Sequence, residues 1–458
     1  MNEFLKILQH EWGDGVVYTG EDVGERHAVD TSGENSCKPS VLLKPSCTKE
    51  VSAILQKCHA ENQPLVLQGG MTGMAGGGTP QPGEFAISSD KLKGIEEIDS
   101  DSMTLTAYAG TPLQVIQEAA EAAGLFFPLD FGSRGSCTIG GVVSTNAGGN
   151  QVIRYGMARE LVLGLEVVLA DGTVLNYMNK VLKNNSGYDL KHLFIGSEGT
   201  LGFVTKVVLR LYPKPSYKHT ALCAVDSFED ILKLYRSSHV ALAGNVSAFE
   251  VMWKNYFDFI MTHVGELKSP FDDSYPFTLL LEYQGNDTEE DKEKFQLFLC
   301  DEMESGTIVD AVVAQSLQDA ENLWAIRDGI GDVVPLLSNS TKFDISIPGS
   351  QMRAFVEHMT GSLEEEFPQV SILIFGHIGD GNLHLCAGTE SADDKKKIYE
   401  CVYAITEKYN GAISAEHGVG TLKKQYLCHS RGNNEIDLMR SIKDLLDPKK
   451  ILNAGRVF

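Results

Sequence analysis

Two histidines that flank a turn-forming sequence are the residues of this chain best suited to metal chemistry. Between His377 and His384 lies Ile-Gly-Asp-Gly-Asn-Leu, whose central Gly-Asp-Gly-Asn is typical of a turn between two strands. We predict a hairpin in which Ile378 pairs with Leu383 and His377 with His384. Directly opposed residues have Cβ atoms about 4.5–5.5 Å apart on one face, so the two imidazoles could share a metal ion. A structural histidine pair is the alternative.

A carboxylate that could complete a metal site follows in Ala-Glu-His-Gly, which contains Glu416 and His417. The flanking glycine leaves room for another group to approach closely. Two histidines and one carboxylate form a common catalytic set with open positions for a substrate, and this set is compatible with Zn²⁺, Mn²⁺ or Fe²⁺.

Three glycine-dense segments, at 69–78, 132–149 and 196–202, suggest a phosphate-binding region. Ordering a glycine costs conformational entropy. One functional reason for several such glycines is that they let backbone N–H groups approach a pyrophosphate closely. Simple turns are the alternative. None of the segments fits the strand–GxGxxG–helix pattern of a Rossmann site, and no GxxxxGK[ST] occurs, so NAD of that type and a P-loop are excluded. The glycines indicate a large phosphorylated cofactor without naming it.

The elements that would position these residues alternate between strand and helix. Residues 41–45, 49–61 and 64–67 read as strand, helix and strand of a βαβ unit, and the region 161–174 reads as a hairpin around Asp171-Gly172. The sequence Pro213-Lys-Pro215 is the clearest domain boundary. We expect an α+β cofactor domain, a second α+β domain, and a C-terminal segment that returns to the first.

The overall charge limits the class of partner. The chain of 458 residues has 39 Lys and Arg against 62 Asp and Glu, a formal net charge of −23. This excess of acid opposes binding to nucleic acid or to an anionic membrane surface. The nine cysteines form no Cys-x-x-Cys pair, so neither a disulfide framework nor a thiolate zinc site is indicated. We see no basic-apolar leader and no apolar run of about 18 residues, and we predict a cytoplasmic location without a transmembrane segment.

Several of these motifs together resemble one known family. The segments 69–73, 128–133, 137–141, 146–149 and 196–202 are similar to the FAD-binding domain of the vanillyl-alcohol-oxidase superfamily. More narrowly they resemble the branch that holds D-lactate dehydrogenases, the flavin-binding component of glycolate oxidase and D-2-hydroxyglutarate dehydrogenases, from about residue 36 to the C-terminus. The resemblance implies an α+β fold with a two-subdomain FAD-binding domain at 1–215, a substrate (cap) domain at 216–410, and a C-terminal segment at 411–458 that returns to the FAD site.

The same resemblance implies which residues bind FAD. The first two glycine loops of that family wrap the FAD pyrophosphate, and the Ser-Glu-Gly-Thr-Leu-Gly turn lies near the flavin. No histidine stands in the first loop, where some relatives attach FAD covalently, so we expect noncovalent FAD. Met71 departs from the Asn that is usual there. The expected cofactor residues are Gly69, Gly70, Met71, Thr72, Gly73, Pro128, Gly132, Ser133, Cys137, Thr138, Gly140, Gly141, Asn146, Gly148, Gly149, Glu198, Gly199, Gly202 and Asn453.

The catalytic roles are likewise implied by the resemblance. His377, His384 and Glu416 match the positions that bind a divalent metal in D-2-hydroxyglutarate dehydrogenases; we expect zinc, with manganese or iron as options. His417 matches the general base, and an unperturbed pKa of about 6.5 suits that task. Arg327 and Lys342 match residues that bind substrate carboxylate, although either could form an ordinary ion pair.

Two departures bear on the substrate. Gly331 stands where the 2-hydroxyglutarate enzymes have Thr, and Cys386 stands where they have Asn. We therefore expect an FAD- and metal-dependent dehydrogenase that transfers hydride from C2 of a D-2-hydroxy acid to flavin N5. The acid is D-2-hydroxyglutarate, D-lactate or a related one.

Partners and rival functions are left open by the sequence. The electron acceptor is a quinone, a cytochrome or an electron-transfer flavoprotein, and a homodimer is possible. Three alternatives stay open: a metal hydrolase without flavin, a flavin-binding subunit of a glycolate-oxidase-like complex, and non-redox flavin chemistry of the alkylglycerone-phosphate-synthase kind.

Overall fold

The helices of the protein are short to medium in length and distributed along the whole chain. A computed structural model describes residues 3–286 and 289–458. The α-helices, in chain order, are α1 Glu3–Trp12, α2 Thr48–Ala60, α3 Leu113–Ala122, α4 Ile139–Thr145, α5 Val152–Tyr155, α6 Ala158–Leu161, α7 Lys191–Phe194, α8 Phe228–Ala241, α9 Lys254–His263, α10 Glu289–Glu304, α11 Leu317–Asp328, α12 Ile330–Val333, α13 Met352–Glu366, α14 Asp394–Lys408 and α15 Asn433–Leu446.

The strands alternate with these helices, which makes the chain an α+β protein, as predicted. In chain order they are β1 Val17–Thr19, β2 Val41–Leu43, β3 Leu65–Gln68, β4 Phe85–Ser88, β5 Ile95–Asp99, β6 Thr104–Tyr108, β7 Leu125–Phe126, β8 Val162–Val168, β9 Val174–Tyr177, β10 Phe203–Arg210, β11 Tyr212–Pro213, β12 Tyr217–Val225, β13 Val246–Trp253, β14 Phe277–Gly285, β15 Asp310–Val313, β16 Thr341–Ser346, β17 Ser371–His377 and β18 Asn382–Gly388.

The chain divides into two compact units. The first unit contains residues 1–149, 156–214 and 416–458, and the second contains 150–155 and 215–415. Compared with the predicted domains, 150–155 joins the second unit because Arg154 and Tyr155 donate hydrogen bonds to Gln284 on β14. Residues 411–415 stay with the second unit because Ala412 forms a bridge to Ser346 at the end of β16.

The first unit is built on two main sheets. A four-stranded sheet has the order β1-β2-β4-β3, in which β2 and β3 both run parallel to β4. The predicted βαβ unit is therefore present as β2-α2-β3, with β4 inserted between its two strands. The second sheet is antiparallel, in the order β5-β6-β10-β8-β9, and contains the predicted hairpin as β8 and β9.

The second unit is organised around one seven-stranded antiparallel sheet. Its order is β15-β12-β14-β13-β17-β18-β16. An apolar cluster that includes Met252, Tyr256, Phe375 and Cys386 packs on one face of this sheet, together with residues of α9 and α11. Among the described residues, no helix combines the length and apolar character needed to cross a bilayer.

Candidate active site

A cavity of about 450 Å³ in the first unit brings the glycine-dense segments together. Its volume lies within the range of about 300–1,000 Å³ that is usual for ligand sites. All the expected cofactor residues except Pro128 and Asn146 line it. The C-terminal segment contributes Glu416, His417 and Asn453 to the same wall.

The glycines of the first loops are needed because two segments of backbone meet. A Cβ on Gly70 would stand 2.2 Å from the carbonyl oxygen of Ser136, and a Cβ on Gly149 would stand 2.2 Å from that of Asp130. Both distances are shorter than real side chains allow. These glycines therefore let the loops approach each other closely and form the cavity wall, in addition to the close cofactor approach predicted from the sequence.

Three residues that line this cavity have buried polar atoms without a hydrogen-bond partner among the described residues. Asp30, Ser89 and Thr138 each line it, and Asp30 Oδ2, Ser89 Oγ and Thr138 Oγ1 have no hydrogen-bond partner among the described residues. Because buried polar groups are nearly always hydrogen-bonded, these atoms are suited to a polar ligand. Together with the exposed backbone of the glycine loops, they fit a large cofactor such as FAD.

Two of the expected cofactor residues have other positions. Pro128 is buried away from the cavity lining. Asn146 adopts a left-handed conformation at the end of α4, and its Oδ1 accepts a hydrogen bond from the backbone N–H of Arg159 at 2.9 Å. Asn146 therefore stabilises the backbone behind the lining residues Ala147, Gly148 and Gly149.

Glu198 lines the cavity but directs its carboxylate to the C-terminal segment. Its two oxygens accept hydrogen bonds from the backbone N–H groups of Val419 and Gly420, at 2.7 and 2.8 Å. Burial raises the pKa of Glu198, against the effect of these N–H groups, which favour its ionised form. The side chain thus fixes the turn directly after Glu416 and His417. Glu416 Oε1 itself accepts a hydrogen bond from the N–H of Gly149 at 2.6 Å.

The two histidines predicted to bind metal lie in the second unit, at the junction of β17 and β18. The predicted pairing is wrong by two residues: His384 pairs with Phe375, which precedes His377 by two positions. The loop forms one residue earlier than expected, with a 3₁₀ turn at Ile378–Asp380 and Gly381 at φ +82°. A two-residue shift keeps both side chains on the predicted face, and the imidazole centroids lie 5.2 Å apart.

Arg327 lies beside the first of these histidines as a buried cation. Its Nε donates to Glu250 at 2.8 Å, and its Nη2 lies 3.2 Å from His377 Nε2. Its guanidinium also stacks over the ring of Phe375. Burial opposes the ionised form of Glu250, but the neighbouring His377 and Arg327 outweigh this effect and lower the pKa of Glu250 to about 2.

Lys342 has an exposed side chain on β16 and pairs directly with Cys386 on β18. Burial raises the pKa of Cys386 to about 12, so its thiol is neutral. A Cβ built on Gly331 meets no atom within 4 Å. The two positions expected from the resemblance to differ from the D-2-hydroxyglutarate enzymes are thus a buried apolar side chain and an open space.

Two buried acids of the second unit, Glu250 and Asp344, were not predicted from the sequence. Glu250 is the single charged residue within the strand Val246–Trp253, and Asp344 stands between the buried Phe343 and Ile345 on β16. A charge inside an apolar strand is costly unless it is paired, so these residues could have been found by that signal. Imidazoles flanked by carboxylates are a donor set suited to Zn²⁺, Mn²⁺ or Fe²⁺.

Comparison with known families identifies the parts of the chain. Residues 39–177 match the family described as "FAD binding domain", and residues 214–457 match "FAD linked oxidases, C-terminal domain".

Comparison with curated proteins gives relatives over almost the whole chain. The sequence is 40% identical to "Probable D-2-hydroxyglutarate dehydrogenase, mitochondrial" of Oryza sativa subsp. indica, covering 97% of this chain and 80% of that one. It is 38% identical to "D-2-hydroxyglutarate dehydrogenase, mitochondrial" of Arabidopsis thaliana, covering 96% and 81%. It is 36% identical to "D-2-hydroxyglutarate dehydrogenase" of Xanthomonas citri pv. viticola, covering 95% and 92%.

Solved structures share the fold at low sequence identity. A p-cresol methylhydroxylase has a TM-score of 0.78 at 16% identity, covering 100% of this chain and 96% of that one. An alkyldihydroxyacetonephosphate synthase has a TM-score of 0.75 at 18% identity, covering 99% and 85%. The predicted vanillyl-alcohol-oxidase type of fold is confirmed. The chain therefore belongs to the FAD-linked oxidases, the family of these D-2-hydroxyglutarate dehydrogenases, and is an FAD-dependent oxidoreductase.

Proposed function

We propose that the protein is an FAD- and divalent-metal-dependent dehydrogenase that converts a D-2-hydroxy acid to the 2-oxo acid. The observation that carries the proposal is His417 at the wall of the cavity that fits FAD. Removing hydride from a C–H bond next to a hydroxyl requires a group that takes the hydroxyl proton, and imidazole suits that role near neutral pH. The relatives named D-2-hydroxyglutarate dehydrogenases support the same reaction class.

The residues that would hold the metal are His377, His384 and Glu416. This assignment rests on the family resemblance and on the donor chemistry of the side chains. When bound, FAD supplies a hydride acceptor and the metal polarises the hydroxyl oxygen of the substrate. His417 takes the hydroxyl proton.

Substrate carboxylate would be bound by cations of the second unit. The Nε of the planar Arg327 guanidinium donates a hydrogen bond to Glu250. This contact holds the guanidinium in a fixed orientation and leaves other N–H groups to bind an anion. Lys342 on the neighbouring part of the sheet supplies a flexible positive charge. The acid itself is D-2-hydroxyglutarate, D-lactate or a related D-2-hydroxy acid.

Anaerobic flavin reduction tests this proposal directly. The purified protein is mixed with a panel of D- and L-2-hydroxy acids, with and without a chelator, and the visible absorption of oxidised flavin is recorded. Bleaching by a D-acid that is lost with chelator and restored by Zn²⁺, Mn²⁺ or Fe²⁺ is expected. Full bleaching in the presence of chelator would contradict the metal requirement, and bleaching by none of the acids would contradict the dehydrogenase itself.

The rival functions give different results in the same experiment. A colourless protein would favour a metal hydrolase. A yellow protein that bleaches only after partner subunits are added would favour a glycolate-oxidase-like complex, and a yellow protein that never bleaches would favour non-redox chemistry. Turnover then requires an acceptor for the two electrons. A quinone, a cytochrome and an electron-transfer flavoprotein are the candidates to compare.

A further inference from the structure

Each metal-site histidine of the second unit lies directly opposite a buried carboxylate on the next strand. Glu250 on β13 pairs with His377 on β17, and Asp344 on β16 pairs with His384 on β18. Directly opposed residues of antiparallel strands project from the same face. Across β13, β17, β18 and β16 the side chains therefore share one face in the order acid, histidine, histidine, acid, with a step of two residues between the histidines. We name these four residues the acid–histidine row.

Glu250 contacts the first histidine closely. Its Oε1 lies 2.5 Å from His377 Nδ1, and its side chain is 1% exposed. Its Oε2 accepts a hydrogen bond from Arg327 Nε at 2.8 Å, so this carboxylate lies between two nitrogen groups as their acceptor. His377 Nδ1 must then carry the proton, which leaves the lone pair on Nε2. This lone pair faces Arg327 Nη2 at 3.2 Å, and it is the one through which Nε2 would bind a cation.

Asp344 has an equivalent position at the other end of the row. It is fully buried, and its Oδ1 lies 3.9 Å from His384 Nδ1, a distance of an ion pair and longer than a direct hydrogen bond. Its Oδ1 also accepts from Asn382 Nδ2 at 3.0 Å, and its Oδ2 accepts from the backbone N–H of Ala415 at 3.2 Å. Asp344 therefore links the second histidine to the residue that immediately precedes Glu416 in the chain.

We infer that Glu250 and Asp344 are positioning residues for His377 and His384 as ligands of a divalent cation: Glu250 fixes the tautomer and orientation of His377 by direct contact, and Asp344 orients His384 from the opposite position on the neighbouring strand. The inference rests on the metal part of the proposed function. A carboxylate on the second imidazole nitrogen orients the ring and increases its basicity, and loss of such a partner weakens metal binding by about 10–100-fold. Glu250 has a second effect, because the same carboxylate orients Arg327.

The test measures metal affinity apart from turnover. Full-length protein is stripped with chelator and titrated with Zn²⁺ in competition with a chromophoric chelator, for the wild type, Glu250→Gln and Asp344→Asn. Glu282→Gln is the matched control, because Glu282 is a buried acid of the same sheet that binds Ser247 and Trp324. Co²⁺ gives a second readout, since its ligand-field bands report the geometry of the bound histidines.

We expect Glu250→Gln and Asp344→Asn to weaken Zn²⁺ binding by about 10–100-fold and to shift the Co²⁺ bands, with the control unchanged. Bound FAD, measured by its visible absorption, should be retained, because its cavity is built within the first unit. Wild-type Zn²⁺ affinity in either folded variant would overturn the role of that carboxylate.

Two further outcomes keep the test decisive. Glu250→Gln leaves Arg327 buried without its carboxylate and can fail to fold; the soluble Asp344→Asn protein then decides the inference. A wild-type protein that binds neither Zn²⁺, Mn²⁺ nor Fe²⁺ would overturn the metal part of the proposed function and this inference with it. Flavin bleaching by a D-acid in that protein would leave the dehydrogenase itself standing.

Discussion

Glu198 and Val419 are joined by a hydrogen bond between residues more than two hundred positions apart, in which the backbone N–H of Val419 donates to Glu198 Oε1 at 2.7 Å. Gly418 precedes Val419 at φ +76°, and a Cβ there would stand 2.8 Å from the carboxyl carbon of Glu198. The carboxylate and the glycine together hold the backbone that carries His417. A side chain predicted to serve the cofactor therefore also fixes the proposed base.

Glu198→Gln is expected to loosen this turn. An amide can offer one acceptor atom in place of two, and its NH₂ would face a backbone donor, at a cost of about 1–3 kcal/mol in the free energy of unfolding. The midpoint of urea unfolding should fall. The relative decrease in kcat should be larger than the relative decrease in the amount of bound FAD. The exposed Glu304→Gln is the control. An unchanged midpoint and kcat would show that the carboxylate does not hold the turn.

Met71→Asn is expected to stabilise the first unit. Met71 has φ +60° at the cavity wall, and a left-handed conformation costs most residues about 1–2 kcal/mol, with Asn a common exception. A gain of about 1 kcal/mol should raise Tm by about 2–4 °C for a unit of this size. Met74→Asn, in the same cavity wall but not at positive φ, should give no such increase. An equal rise in both variants would contradict a role for the left-handed conformation.

Ser89→Ala and Thr138→Val are expected to weaken FAD binding. Both residues line the cavity, and their buried hydroxyls have no partner among the described residues; a hydrogen bond to the cofactor is worth about 1 kcal/mol, or about fivefold in Kd. Titration of the apoprotein with FAD, followed by flavin fluorescence, measures the change. Ser88→Ala is the control, because Ser88 accepts from the N–H of Asp90 and lies outside the cavity lining. Equal affinities in all three proteins would remove these hydroxyls from the FAD site.

The combined variant Gly331→Thr/Cys386→Asn is expected to shift the substrate preference toward D-2-hydroxyglutarate. It introduces the two polar residues that the family resemblance implies at these positions, and the space at Gly331 can accept a side chain. A hydrogen bond to a charged group is worth about 1.5–3 kcal/mol, so the ratio of kcat/KM for D-2-hydroxyglutarate over D-lactate should rise at least about tenfold. Cys401→Asn on α14 makes the same chemical change elsewhere and should leave the ratio unchanged. A constant ratio in the double variant would mean that neither position contacts the distal group.

Asp90 is expected to contribute stability that is lost in acid. Burial opposes its ionised form, but His27, Lys44 and Arg26 outweigh that effect and lower its pKa below the ordinary value of 3.8. A lowered folded-state pKa adds stability above the unfolded-state value, and this stability is lost as the pH falls through the folded-state value. The difference in urea midpoint between wild type and Asp90→Asn should therefore be constant near neutral pH and shrink below about pH 4. A difference that does not depend on pH would argue against the ionised form.

Much of the candidate site could be predicted from local sequence because its chemistry lies in short motifs. The glycine-dense loops indicate a phosphate-binding site, and the His-Ile-Gly-Asp-Gly-Asn-Leu-His segment indicates a metal site, whatever fold surrounds them. The hairpin register was predicted two residues away from the observed one. Both histidines still lie on the predicted face of the sheet, because side chains of a strand alternate with a period of two. Pro128 and Asn146 lie outside the cavity lining, since proximity in sequence to a lining residue does not decide which side of the backbone faces the cavity.

The sequence by itself determined the family, the cofactor class and the two histidines on one sheet face. Only the tertiary structure decided their neighbours: Glu250 lies 127 residues before its partner His377, and no local pattern joins β13 to β17. The pairing of distant strands depends on the packing of the whole sheet. The same packing decides whether a carboxylate is buried beside a partner or exposed to solvent. The acid–histidine row is therefore a product of the fold, while the histidines within it are already visible in the sequence.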